Sequence, residues 1–330
     1  MQFWGRVWLL TCMITLGVLG GWEGFWRLND FDAGLEDDWG VWAAARRAAS
    51  HRQKDVVVFI GSSRIQVGLH PDVFARLTGR QPVMLAIDGS SPLPVLENLA
   101  ADSKFTGTVI CSLIPMWLAE TKEHGNRSAK WIRKYRAQTW SSRVHTHLSK
   151  VCQQIFVFRY PGLTPARIWT HILEQTWPQP PYAPMGPNRY RPADFSKVDA
   201  EKLREAREKR QLEIHKKANP LYPNQFAARI EKIEKMVERI KIRGGQVIFV
   251  RLPSTGVARG LEQKTWPREV YWDVFSRKIK TLAIHFEDYP SLMGFDCPDG
   301  SHLDVKDAKK FSQELIAILK AEGLFVTRKP

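Results

Sequence analysis

Two short stretches of this sequence hold residue types that can do nucleophilic chemistry. The first is Gly61-Ser62-Ser63-Arg64, which follows the apolar run Val56–Ile60. A serine hydroxyl is a weak nucleophile until an adjacent base takes its proton. The second is Asp299-Gly300-Ser301-His302, inside FDCPDGSHLDVKDAKKF. A loop can turn both its aspartate and its histidine toward a common point, and a base with an orienting carboxylate needs that. Each stretch also has an ordinary reading. Serine at a strand end commonly caps a helix or shapes a turn. Asp299 suits an Asx turn in Pro-Asp-Gly-Ser, and His302 suits a loop near a helix start. A phosphate cradle fits less well. Gly61 stands alone before the serines, and Gly68 matches neither the GxxxxGK[ST] nor the GxGxxG spacing. Ile65 occupies the second glycine position of a GxSxG elbow, so that motif is absent too.

These stretches must be positioned by strands and helices. Val56–Ile60, Val83–Ile87 and Thr108–Leu113 are short, apolar and rich in β-branched residues, as strands covered on both faces should be. Pro71 can open a helix that Gly79 closes, and Pro94 can open another over PVLENLAADSK. Such alternation predicts an α/β fold with a parallel sheet. The pattern breaks after about residue 118. From Lys122 to Lys150 there are eight Lys or Arg and one acid, Glu123, interleaved with Trp131, Tyr135 and Trp140. WPQPPYAPMGPNRYRP reads as a loop. A charged helical run follows from Lys197 to about Ala218. Phe226, Ile230, Ile233, Val237 and Ile240 then line one helical face, which Gly244 and Gly245 end. QVIFVRLP and LAIHFED read as the fourth and fifth strands, and a last helix runs from about Val305 to Glu322. The sheet is thus expected from segments of about 55–118 and 244–325, around a helical, basic insertion of about 119–243.

Together the two motifs resemble the SGNH/GDSL hydrolase superfamily. Its signature is Gly-Asp-Ser after the first strand and Asp-x-x-His before the last helix. Gly61-Ser62-Ser63 matches the first, with Ser62 where Asp is usual, and Asp299 to His302 matches the second. The resemblance implies a three-layer α/β/α sandwich with a flavodoxin-like, mostly parallel sheet. It implies Ser63 as nucleophile, His302 as general base and acid, and Asp299 as orienter of His302. It also implies an oxyanion hole from the backbone N–H groups of Ser63 or Arg64 and of Gly89, in LAIDGSSPLP. The third block, Gly-x-Asn-Asp, is replaced by CSLIPMWL, so one oxyanion donor of the family is missing. Ser112 is a poor substitute; Ser90 or Arg251 could substitute from elsewhere, and both are candidates for substrate contact. The implied activity is acyl-ester hydrolysis or O-acyl transfer through an acyl-enzyme. The alternative is an inactive module that keeps the fold and serves as a binding or scaffold protein.

The N-terminus bears on location. Between Val7 and Trp22 no residue is charged, with Phe3, Trp4, Phe25 and Trp26 flanking this run. That predicts an uncleaved membrane anchor over residues 1–30, the rival being a signal peptide without an Ala-x-Ala site. Arg6 precedes the run, and Arg27 and then acids from Asp30 to Asp38 follow it; the flanks lean toward a single-pass protein of the cytoplasmic membrane with its bulk in the periplasm or outside. The net charge of +15 favours an acidic partner. No zinc-finger spacing or RNA-binding signature accompanies it, so nucleic acid is not expected. Anchor, insertion and charge resemble proteins that act on cell-surface polymers, such as alginate acetylation and teichoic-acid D-alanylation proteins. The partners this implies are an acylated or anionic polysaccharide and a membrane-bound acyltransferase. Cys12, Cys111, Cys152 and Cys297 form no CxxC pair; no metal or cofactor is expected.

Overall fold

A computed structural model describes residues 2–51, 55–121 and 127–325. The start of the basic run, Lys122–Asn126, therefore lies outside the described residues. The chain is α/β. Five strands, β1 (Val56–Ile60), β2 (Gln81–Met84), β3 (Thr108–Ser112), β4 (Gln246–Arg251) and β5 (Ala283–His285), form one sheet in the order 2-1-3-4-5, every pair parallel. In a doubly wound sheet of this order the chain reverses direction across the sheet at β1 and β3. The crevice at their carboxyl ends is where such folds bind ligands.

The helices are α1 (Gln2–Leu28), α2 (Trp39–His51), α3 (Ser63–Gly68), α4 (Pro71–Thr78), α5 (Leu93–Ala100), α6 (Pro115–Ala119), α7 (Arg127–Arg136), α8 (Trp140–Ile155), α9 (Pro165–Leu173), α10 (Ala200–Lys216), α11 (Pro223–Ile242), α12 (Gly256–Thr265), α13 (Trp272–Lys278), α14 (Pro290–Met293) and α15 (Val305–Ala321). Alternate residues of β1 enter two separate cores. Val56, Val58 and Ile60 pack with Trp42 of α2, Leu96 of α5 and Ile233 of α11. Val57 and Phe59 pack with Phe74 of α4 and with Phe311 and Leu315 of α15. Strands that bury both faces this way carry no polar alternation, which explains their continuous apolar runs.

Two strands differ from the expectation. β2 lies two residues earlier than Val83–Ile87 and starts at Gln81, next to Pro82. Proline is tolerated there because β2 is an edge strand. Leu85 and Ile87 still run beside β1, donating to the carbonyls of Phe59 (2.8 Å) and Gly61 (3.0 Å). β5 is only three residues long, because Phe286–Asp288 turn into a 3-10 helix. The predicted helices hold at α4, α11 and α15. α4 is closed by Gly79 at φ +67° and α11 is followed by Gly244 at φ +83°. The left-handed conformation at these ends favours glycine.

The helix α1 is long and apolar enough to cross a membrane, and its most apolar window is not buried against the rest of the chain. Its last turns, by contrast, are fixed to the body. Both oxygens of Glu23 accept backbone N–H groups, from Val157 and Phe158, each at 3.0 Å. Trp26 is buried with Phe31, Val157 and Leu163.

Candidate active site

The strand β1 ends at Ile60, and after Gly61 and Ser62 the helix α3 begins at Ser63. Gly61 is fixed by close approach. A Cβ there would lie 2.6 Å from Ile65 Cγ2 and 2.9 Å from Ser112 Cβ. Gly61→Ala is therefore expected to destabilise the chain by about 1–3 kcal/mol, the usual cost of overpacking. Denaturant unfolding in detergent reads this, and an unchanged midpoint would contradict it. The tight turn leaves Ser63 half-buried at the carboxyl edge of the sheet, facing the loop that precedes α15.

That loop is a hydrogen-bonded turn built on Asp299. Its Oδ1 accepts the backbone N–H groups of Ser301 (3.0 Å) and His302 (2.8 Å). Gly300 adopts φ +77°, which a side chain would disfavour. Thr255, just after β4, donates its backbone N–H to the Gly300 carbonyl at 3.2 Å and ties the turn to the sheet. The other carboxylate oxygen, Oδ2, is 2.9 Å from His302 Nδ1, and His302 Nε2 is 2.8 Å from Ser63 Oγ. The turn-forming and chemical readings of Asp299 are therefore both present, one on each oxygen.

Protonation states follow from this geometry. Burial alone would raise the Asp299 pKa. The hydrogen bond and charge of His302, the charge of Arg207 and the Ser301 N–H outweigh it and hold Asp299 at about 2. An ionised Asp299 can only accept, so His302 Nδ1 carries the proton and Nε2 is free to accept from the Ser63 hydroxyl. Burial also lowers the His302 pKa below its ordinary 6.5, with Arg207 and Arg64 pushing the same way and Asp299 opposing. The imidazole is thus neutral at neutral pH, the form a general base requires.

The other sequence candidates divide. Gly89, at φ +61°, lines the same cleft of about 430 Å³ as Ser63 and His302. The N–H groups of Ser63 and Arg64 fall in the first turn of α3, where a helix supplies no acceptor for them. The Arg64 side chain points elsewhere, donating from Nε to Ser301 Oγ at 3.1 Å and from Nη2 to Glu262 Oε1 at 2.5 Å. Ser90 and Arg251, the candidates for substrate contact, are buried and do not line the cleft. Each has 0% exposure. Ser90 Oγ accepts the N–H of Ser128 at 3.0 Å, and Arg251 is spent on Glu262 and Ser254. Ser112 is also buried, and its hydroxyl has no hydrogen-bond partner among the described residues. Past β3, Ile114, Met116 and Trp117 give the cleft an apolar wall where the resemblance would place Asn.

Sequence reasoning missed two residues of α10. Arg207 Nε lies 2.7 Å from Asp299 Oδ2, an ion pair not aligned as a hydrogen bond. Arg207 Nη2 donates to the Tyr182 hydroxyl at 3.1 Å. Arg210 is exposed and lines the cleft beside Ser63. Their only sequence signal is a basic helix, the same signal that a solvated surface gives. Among the described residues no group of three or more His, Cys, Asp or Glu is arranged to hold a metal.

No protein-family model matches the chain, and no curated protein matches it. The functional reading therefore rests on the geometry.

Proposed function

We propose that this chain is a serine esterase or O-acyltransferase of the SGNH type, acting on an acylated cell-envelope polysaccharide. The observation that carries the reading is the continuous chain Ser63 Oγ–His302 Nε2–Nδ1–Asp299 Oδ2, with links of 2.8 and 2.9 Å. In the first half-reaction Ser63 Oγ bonds to the ester carbonyl carbon while its proton passes to His302 Nε2. The tetrahedral adduct collapses as Nε2 returns that proton to the leaving alkoxide, giving an acyl-enzyme and a free alcohol. Water or a sugar hydroxyl then attacks by the same route in reverse. The first-turn N–H groups of α3 and that of Gly89 serve the developing oxyanion. The two separate cores support reading the fold as a three-layer α/β/α sandwich. Glu23 and Trp26 fix the end of α1 to the body, which supports reading α1 as a retained anchor. We place the anchor in the cytoplasmic membrane, with the body outside and a membrane-bound acyltransferase as partner.

A second reading is an inactive scaffold of the same fold. It is favoured by the apolar wall of Ile114, Met116 and Trp117 in place of an Asn donor. A fluorophosphonate probe separates the two. The proposed enzyme is labelled, and Ser63→Ala is not. Equal labelling of both proteins, or labelling of neither, would remove the enzyme reading.

The proposal also predicts a pH profile. Neutral His302 is the active form and its pKa is lowered, so the acid limb of labelling should fall below pH 6.5. Arg207→Gln removes a cation that disfavours the imidazolium, and it leaves Asp299 Oδ2 to His302 alone. Both changes raise the His302 pKa, so the limb should move to higher pH. A limb that does not move would deny Arg207 this influence.

A further inference from the structure

We propose that the exposed apolar faces of α8 and α9 dock on the surface of an anionic lipid bilayer beside the α1 span, an inference that rests on the membrane-anchor reading above. Trp140, Val144, Leu148, Val151 and Ile155 recur along α8 and form a single stripe, and all are exposed. The residues of α8 that are buried, Thr146 and Gln153, fall on the opposite side of the helix at about 100° per residue. The stripe therefore faces away from the body. α9 buries no residue at all and exposes Trp169, Ile172 and Leu173, each at 60% or more. Scattered surface apolar residues need no explanation, but an exposed apolar face on each of two consecutive helices does.

The position of these faces selects lipid as the occupant. The last residue of α8 and the start of the connection to α9, Ile155–Phe158, hold the end of α1. Arg27 Nη2 donates to the Ile155 carbonyl at 2.7 Å, and Glu23 accepts from Val157 and Phe158. Trp177, beyond α9, lies 5.7 Å from Trp26 and 6.2 Å from Phe25, ring centre to ring centre. The junction thus lies level with the residues where a spanning helix leaves hydrocarbon, the depth at which Trp is enriched. Charge agrees. From His124 to Leu173 the sequence has nine Lys or Arg and no Asp or Glu. Apolar stripes flanked by cations are the pattern of helices that lie in an anionic interface.

The test uses the full chain with a benzoyl-phenylalanine photocrosslinker in place of Leu148, Trp169, Leu16 or Glu238, one at a time. Each protein is irradiated in nanodiscs of phosphatidylglycerol or phosphatidylcholine, and in native membranes. Lipid adducts are expected at positions 148, 169 and 16 and not at the exposed α11 position 238. At 148 and 169 the yield should be several-fold higher in phosphatidylglycerol at low salt. Adducts at 16 alone would overturn the docking face and leave the anchor standing. Polypeptide adducts replacing lipid at 148 and 169 in native membranes would overturn it in favour of a protein partner or a second copy. Adducts at 148 and 169 with none at 16 would overturn the anchor, and with it a docking face set beside the α1 span.

Discussion

Ser63→Ala is expected to lower ester turnover by a factor of about 10⁴ to 10⁶, with little change in stability. The hydroxyl is the only group lost. Its partner His302 Nε2 keeps access to the cleft and can take water in its place, so no polar atom is stranded. His302→Ala should cost about as much in turnover, and the double variant little more than either single one, because the two groups act as one unit. Asp299→Asn probes the third member in a different way. An amide keeps a carbonyl oxygen for the Ser301 and His302 N–H groups and presents an NH2 group to His302 Nδ1. That donor forces the proton onto Nε2, the wrong tautomer for accepting from Ser63, at a cost of about 10⁴ in kcat. Initial rates on a small acyl ester, paired with thermal unfolding, separate lost chemistry from lost fold. Wild-type turnover in Ser63→Ala would end the nucleophile assignment.

The Ser63–His302–Asp299 hydrogen-bond chain is readable from sequence because its two halves are each local. Asp299 and His302 belong to one turn, and Ser63 belongs to the turn that ends β1. Only their convergence needs the sheet, and the order 2-1-3-4-5 supplies it. β1, β3 and β4 are readable for a related reason. Covered on both faces, they keep four or five consecutive buried residues, whereas the edge strands β2 and β5 keep only two. Arg207 is not readable. Helix α10 buries nothing, so its cations look alike in sequence, and the fold alone brings residue 207 to residue 299. Ser90 and Arg251 fail for the opposite reason. Both follow or end a β segment near the active edge, but the side chains are buried against Ser128 and Glu262. Burial at that scale depends on partners distant in sequence.

The same buried partners give the second large effect. Glu262 of α12 lies between Arg64 and Arg251, and all three side chains are at most 6% exposed. Its Oε2 also accepts the Ser254 hydroxyl at 2.8 Å. Burial alone would raise the Glu262 pKa, but the two guanidiniums and their hydrogen bonds hold it at about 2. Glu262→Ala leaves two buried cations without a counter-charge. Breaking a buried pair from one side costs about 3–5 kcal/mol, a large part of the stability of an ordinary domain. The loss should reach the Asp299–His302 turn as well. Arg64 follows Ser63 directly and its Nε donates to Ser301 Oγ, so releasing its guanidinium loosens both sides of the Ser63–His302 contact.

A pH series distinguishes loss of charge from loss of packing. The folded pKa of Glu262 is depressed, so its contribution is complete above the ordinary 4.5 and is lost as pH falls through about 2. Between those limits the wild type should lose stability more steeply than Glu262→Gln, which has no proton to gain there. Replacing all three members, Arg64→Met, Glu262→Leu and Arg251→Met, removes the stranded charges together and should recover most of the stability. It should not recover the rate of Ser63 labelling, since the Arg64–Ser301 hydrogen bond is gone with them. Recovery of stability and labelling together would mean that the network supports the fold and has no part in holding the two halves of the triad in register.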